Sequence, residues 1–131
     1  MATNPPPEVG ASTRSVMVVD DEPEIAGYLA QALSDHHWRV TIAVDGLDAL
    51  EKIRQTGAPD LLVLDLGLPR MGGMELAHRI RSQHPRTRII VSTGYSIRLE
   101  PHEIQELNIR RVLSKPYGLE VLVEAADEAL A

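Results

Sequence analysis

Four places in the 131-residue chain set reactive side chains directly after a short apolar run. Asp20 and Asp21 follow SVMVV, Asp65 follows LLVL, Thr93 and Gly94 follow RIIVS, and Lys115 and Pro116 follow RRVLS. If the runs are parallel strands, their carboxyl ends lie on one edge, where ligands bind in open α/β sheets. Three carboxylates, a hydroxyl and an ammonium then share a pocket. Carboxylates that close cannot all stay ionised without compensation, and a divalent cation supplies it. An all-oxygen donor set, with no His or Cys at the strand ends, selects Mg²⁺ or Mn²⁺ over zinc. A metal beside a lysine and a hydroxyl suits a phosphoryl group: metal and Lys115 neutralise its charge, Thr93 hydrogen-bonds an oxygen, and loop N–H groups bind the rest. Asp65, placed in line with the phosphorus, would act as nucleophile and form an aspartyl phosphate.

The elements that must position these groups follow from hydrophobic periodicity. SVMVV is a β-branched run of buried-strand length, followed by Ile25, Tyr28, Leu29, Ala32 and Leu33 on one helix face, with Pro23 suited to the first turn. A strand around WRVTIA leads through a turn at Asp45 and Gly46 to a helix carrying Leu47, Leu50 and Ile53, which should stop at Gly57. DLLVL precedes a Gly- and Pro-rich loop and a helix with Leu76, Ala77 and Ile80. RIIVS precedes a weaker helical stretch with Ile104 and Leu107, whose start Pro101 and the polar run around it leave undefined. RRVLS precedes a last helix with Leu119, Leu122, Val123, Ala126 and Leu130. Near-continuous apolar strands between amphipathic helices specify a doubly wound α/β domain with a five-stranded parallel sheet. Residues 1–14, with three consecutive prolines, read as a disordered tail or linker, and residues 15–131 as the folded domain.

Composition narrows the function. Thirteen Lys and Arg against nineteen Asp and Glu give a formal charge of -6, which disfavours nucleic acid as a direct partner. Four aromatics and no Phe leave no base-stacking platform. The absence of Cys excludes disulfides, thiolate nucleophiles and Cys-ligated metals. With no signal-like segment or membrane-length apolar run, a cytoplasmic location without membrane contact is expected.

The strings VVDDE, LDLGLPRMGG, STGY and SKPY, in this order and spacing, resemble the receiver domains of two-component response regulators, from Ser15 to Ala131. The resemblance implies the flavodoxin-like strand order 2-1-3-4-5 with five helices. It implies Asp65 as phosphoacceptor, Asp21 as a direct metal ligand with Asp20 acting through water, and the Gly67 carbonyl as a further ligand. Thr93 matches the switch hydroxyl, Lys115 the phosphoryl-binding lysine, Gly94 a point of close backbone approach, and Pro116 a cis-proline that would aim Lys115 inward. Pro69, Gly72 and Gly73 would shape the loop after Asp65. The implied activity is a Mg²⁺-dependent switch that takes a phosphoryl group from a histidine kinase phosphohistidine, slowly hydrolyses it, and signals to a downstream protein target through a changed surface. A phosphorylation-dependent dimer is left open, and the chain reads as a stand-alone regulator or as a receiver from a hybrid histidine kinase.

One position departs from the pattern. Val112 stands three residues before the lysine, where many receivers carry a rotating aromatic, and Tyr95 and Tyr117 are the nearby candidates for a substitute. Singly, the same residues have ordinary readings: Asp20 and Asp21 a helix cap, Asp65 a loop acid, Thr93 and Lys115 surface positions. Their coincidence at four strand ends outweighs those readings. The five histidines (His36, His37, His78, His84, His102) lack metal-ligand spacing. Arg79, Arg81, Arg86, Arg88, Arg110 and Arg111 read as solvated face, and Tyr28 and Trp38 as packing residues. LPRMGG matches no nucleotide-binding motif. A haloacid-dehalogenase-type phosphatase is the alternative enzyme, but its second Asp is replaced by Gly67 and the chain has no room for a substrate cap. A non-phosphorylated scaffold receiver would not need every reactive position filled.

Overall fold

Five strands and five helices alternate through the residues described by the computed structural model, 14–68, 71–94 and 99–131. In chain order they are β1 (Ser15–Val19), α1 (Pro23–Asp35), β2 (Arg39–Ala43), α2 (Gly46–Thr56), β3 (Leu61–Asp65), α3 (Gly73–Gln83), β4 (Arg88–Thr93), α4 (Pro101–Glu106), β5 (Ile109–Ser114) and α5 (Leu119–Ala129). All neighbouring strands run parallel, in the order β2-β1-β3-β4-β5. The doubly wound architecture and strand order are those expected. Pro69, the tail residues 1–13 and Tyr95 lie outside the described residues.

Side-chain alternation along the strands divides the core in two. Met17, Val19, Leu62, Leu64, Ile89 and Val91 face Ala49 and Ile53 of α2 and Leu76, Ala77 and Ile80 of α3. Val16, Val18, Leu61, Val63 and Ile90 face Ala26, Leu29 and Leu33 of α1 and Leu122, Ala125 and Ala126 of α5. Each large aliphatic side chain buried in these layers contributes about 1.5–3 kcal/mol, so the three central strands are fixed from both faces. The edge strands are less buried: β2 alternates exposed with partly buried residues up to buried Ala43, and β5 buries only Ile109 and Leu113.

Helix ends follow local chemistry. Pro23 occupies the first turn of α1, where its missing N–H costs nothing. Asp45 and Gly46 do not form a free turn: Asp45 caps α2, its Oδ1 accepting from the Asp48 N–H at 2.8 Å, and Gly46 is already helical. Helix α2 stops at Gly57, whose φ of 94° suits glycine. Pro101 starts α4, and Glu103 Oε1 accepts from the Glu100 N–H at 3.0 Å.

Three helix-face assignments need correction. Tyr28 is 69% exposed, Leu47 47% and Leu119 39%; each lies at the margin of its helix's apolar stripe, while Ala26, Ala49 and Ala125 on the same helices are buried. Trp38 is buried as expected, with the Arg14 guanidinium 4.2 Å from its ring centroid. Arg14 also pairs with Asp127 at 2.9 Å and donates to the His36 carbonyl at 2.8 Å.

Candidate functional site

The strand register brings the reactive residues together. Val19 pairs with Leu64, so Asp20, one residue on, lies beside Asp65, the last residue of β3. Asp65 pairs with Ser92, and Thr93 with Ser114. Lys115 continues that ladder, its N–H donating to the Thr93 carbonyl at 2.8 Å. Because the strands are parallel, four chain segments deliver their next residues to one edge.

Asp20, Asp21 and Asp65 each bring a carboxylate oxygen within 4.8 Å of the others. Asp20 and Asp65 are buried and Asp21 is exposed. Asp20 is held from below: its Oδ1 accepts from the Glu22 N–H at 2.9 Å. Neither Asp20 nor Asp21 is the cap of α1, whose N-cap position is Glu22; Asp20 Oδ2 faces Lys115 instead. The Gly67 N–H donates to Asp65 Oδ1 at 3.0 Å. Lys115 Nζ lies 3.1 Å from Asp20 Oδ2 and 3.4 Å from Asp65 Oδ2. Burial disfavours its charge, but the hydrogen bonds and negative charge of Asp20 and Asp65 outweigh burial and hold its pKa above the ordinary lysine value.

Asp21, Glu22, Asp65, Gly67, Gly94 and Lys115 line a cleft of about 440 Å³. Thr93, 1% exposed, is buried and does not line it. A Cβ at Gly94 would meet only Lys115 Cδ, at 4.0 Å, so the glycine leaves the space beside the ammonium open. At Gly73 a Cβ would come within 2.6 Å of Leu66 Cα and 2.7 Å of the Asp65 carbonyl oxygen. Helix α3 can start against the loop after Asp65 because position 73 has no side chain. The Lys115–Pro116 peptide is cis.

Two features of the site carry no motif of their own. Glu22 reaches the cleft, although its place beside Pro23 suggests only a helix first turn. Ser92 Oγ and Tyr117 Oη lie 2.6 Å apart, linking residues 25 positions apart in sequence. The donor set fits a hard divalent cation: three carboxylates converge on one point with one lysine among them, leaving two negative charges that such an ion would neutralise. Among the described residues no helix is long and apolar enough to cross a membrane.

Comparison with known proteins agrees with this geometry. The family model "Response regulator receiver domain" matches residues 16–127. The transcriptional regulatory protein TrcR of Mycobacterium tuberculosis is 33% identical over 108 residues, covering 82% of this chain and 42% of that protein. Hybrid signal transduction histidine kinase D of Dictyostelium discoideum is 34% identical over 110 residues, 82% of this chain and 7% of that protein. The chain thus spans less than half the length of the curated relatives it matches. Among solved structures, response regulator TrrA of Thermotoga maritima in complex with Mg(2+)-BeF superposes with a TM-score of 0.78 at 28% identity, over 89% of this chain and 99% of that one.

Proposed function

The chain belongs to the response regulator receiver family, and on that premise we propose that Asp65 accepts a phosphoryl group from a kinase phosphohistidine and that Lys115 and Thr93 respond to it. The observation that carries this is the convergence of Asp20, Asp21 and Asp65 within 4.8 Å, with Lys115 bonded to two of them. In the transfer, an Asp65 oxygen attacks phosphorus, the bond from phosphorus to the donor nitrogen breaks, and its electron pair stays on the imidazole. Asp20, Asp21, Asp65 and the Gly67 carbonyl would hold Mg²⁺, or Mn²⁺ in its place; when bound, the ion neutralises phosphoryl charge. Lys115 is charged and already aimed at Asp65, so it needs little reorganisation to bind a phosphoryl oxygen. Gly94 leaves room for that group. Thr93 supplies its hydroxyl from the end of β4 only after a shift toward the cleft, a movement that would carry the signal to the surface. Hydrolysis by water attack on phosphorus returns Asp65 to its carboxylate.

The implied partners are a histidine kinase or its phosphohistidine domain and a downstream protein target, with the receiver domain assigned to residues 15–131 and the lead-in to 1–14. A cytoplasmic location suits such a partner. One relative is by name a transcriptional regulatory protein; the net charge of -6 and the lack of a base-stacking platform support assigning no nucleic acid to this domain. Intact-mass measurement after incubation with acetyl phosphate and Mg²⁺ tests the assignment. A single phosphoryl adduct is expected, absent in Asp65→Asn and absent with excess chelator. No adduct on the native chain, or an adduct that persists in Asp65→Asn, refutes it.

A further inference from the structure

The loop that presents Lys115 leaves the sheet after Ser114, the last residue of β5, and enters α5 at Leu119. Its first residue is tied to β4 through the Lys115 N–H and the Thr93 carbonyl. A second tie comes from the side chains: Tyr117 Oη meets Ser92 Oγ at 2.6 Å, a short hydroxyl pair. Ser92 is 1% exposed and adjoins Thr93 in β4. The ring of Tyr117 packs against the core layer beneath α1 and α5. Burial pushes the phenol's pKa up, the Ser92 bond and Lys115 pulling the other way, so the hydroxyl is protonated and can donate. A buried hydroxyl left alone would cost more than the pair contributes when made.

Resting on the reading of Asp65 as phosphoacceptor, we infer that Tyr117 is a positioning residue for phosphoryl transfer: through Ser92 it braces the Lys115 loop against the end of β4. The two segments it joins are those that deliver Lys115 and Thr93. Lys115 must reach across to Asp20 and Asp65 on two other strands, so a small displacement at the loop's base moves Nζ away from the reacting oxygen. The tie itself makes no hydrogen bond to Asp20, Asp21 or Asp65, so it acts on the rate of transfer through Lys115 and removes no carboxylate from the candidate metal site.

The test uses the full chain and measures adduct formation by intact mass against acetyl phosphate concentration at saturating Mg²⁺, with Mg²⁺ affinity and urea unfolding measured in parallel. Tyr117→Phe and Ser92→Ala should each lower the limiting rate about tenfold, the size of one lost hydrogen bond acting in the transition state, with Mg²⁺ affinity unchanged. The double variant, which leaves neither hydroxyl unpaired, should be no slower than either single one. In a Lys115→Ala background Tyr117→Phe should have no further effect, because its action runs through the lysine. A native-like limiting rate in Tyr117→Phe, an additional tenfold loss in the Lys115→Ala background, or a parallel fall in Mg²⁺ affinity overturns the inference. So does loss of stability alone with the rate intact, which is what a purely structural bond gives. If the native chain takes no adduct, or Asp65→Asn takes one, it is the phosphoacceptor assignment that fails.

Discussion

Replacing Asp65 by Asn should make the metal-free protein more stable while abolishing its phosphorylation. Unit charges 4.8 Å apart, the outer limit of separation here, repel by about 3.5 kcal/mol at an effective dielectric of about 20. Asp65 faces two such neighbours, about 7 kcal/mol together, against about 5 kcal/mol of attraction to Lys115 at 3.4 Å on the same scale. Solvent around Asp21 weakens its share of the repulsion. Relief from confining a charge at Asp65, 8% exposed, works in the opposite direction. The amide keeps an oxygen to accept the Gly67 N–H, and Lys115 keeps Asp20 at 3.1 Å. The net expectation is a gain of about 2 kcal/mol in unfolding free energy.

Urea unfolding followed by the fluorescence of Trp38, the single tryptophan, gives the measurement, provided the slope with denaturant is unchanged. In excess chelator the Asn variant should unfold at higher urea. In Mg²⁺ at a hundred times its dissociation constant the native chain gains about 2.7 kcal/mol, while the variant, short of one ligand, gains less. The difference should therefore shrink or reverse. An Asn variant less stable than the native chain in chelator, or a difference indifferent to Mg²⁺, would refute the electrostatic account of the site.

Gly73→Ala should destabilise by about 1–3 kcal/mol and slow phosphorylation, because its Cβ meets the backbone of Asp65 and Leu66; Gly72→Ala, with nothing within 4 Å, should stay within about 0.5 kcal/mol. Arg14→Ala should lower stability by about 1 kcal/mol, read as the urea midpoint, through loss of the Trp38 contact and the Asp127 pair. The raised pKa of Lys115 means its contribution to stability is fully present below the unfolded-state lysine value and is lost only as pH rises through the higher folded one. The stability difference between the native chain and Lys115→Met should accordingly stay flat from about pH 6 to about pH 9; a step in that window would show that the lysine titrates there.

The alternation of buried strands and amphipathic helices was legible because period 2 and period 3.6 leave different traces, and β1, β3 and β4 are apolar throughout. Helix periodicity gives the direction of a face but not its width. Tyr28, Leu47 and Leu119 fall on the correct side by spacing yet stand exposed at the rim of the stripe. Asp45 shows a different ambiguity: an Asp–Gly pair serves a turn and a helix cap equally well, and only the following helix decides between them. Arg14 was assigned to the tail by composition. Its hold on the fold depends on Trp38, Asp127 and the His36 carbonyl, none of which is near it in sequence.

The site was legible for a topological reason. In a parallel sheet the residue after each apolar run must arrive at the same edge, so sequence position stands in for spatial proximity, and Asp20, Asp65 and Lys115 meet as that rule requires. Which of the arriving residues point into the cleft is not set by topology. Thr93 is buried and does not line the cleft, whereas Glu22 does. The same limit applies to coupling. With Val112 in place of an aromatic, and 38% exposed, no large side chain at that position can swing between inward and outward states. The links that do cross from β4 to the Lys115 loop are the Thr93 carbonyl and the Ser92–Tyr117 pair. A hydroxyl pair made between residues distant in sequence leaves no periodic trace, and one of its members, Tyr117, lies in the segment that joins Lys115 to α5. Tyr117, one of the two candidates for the missing aromatic, is thus a residue of the Lys115 loop whose side chain reaches β4.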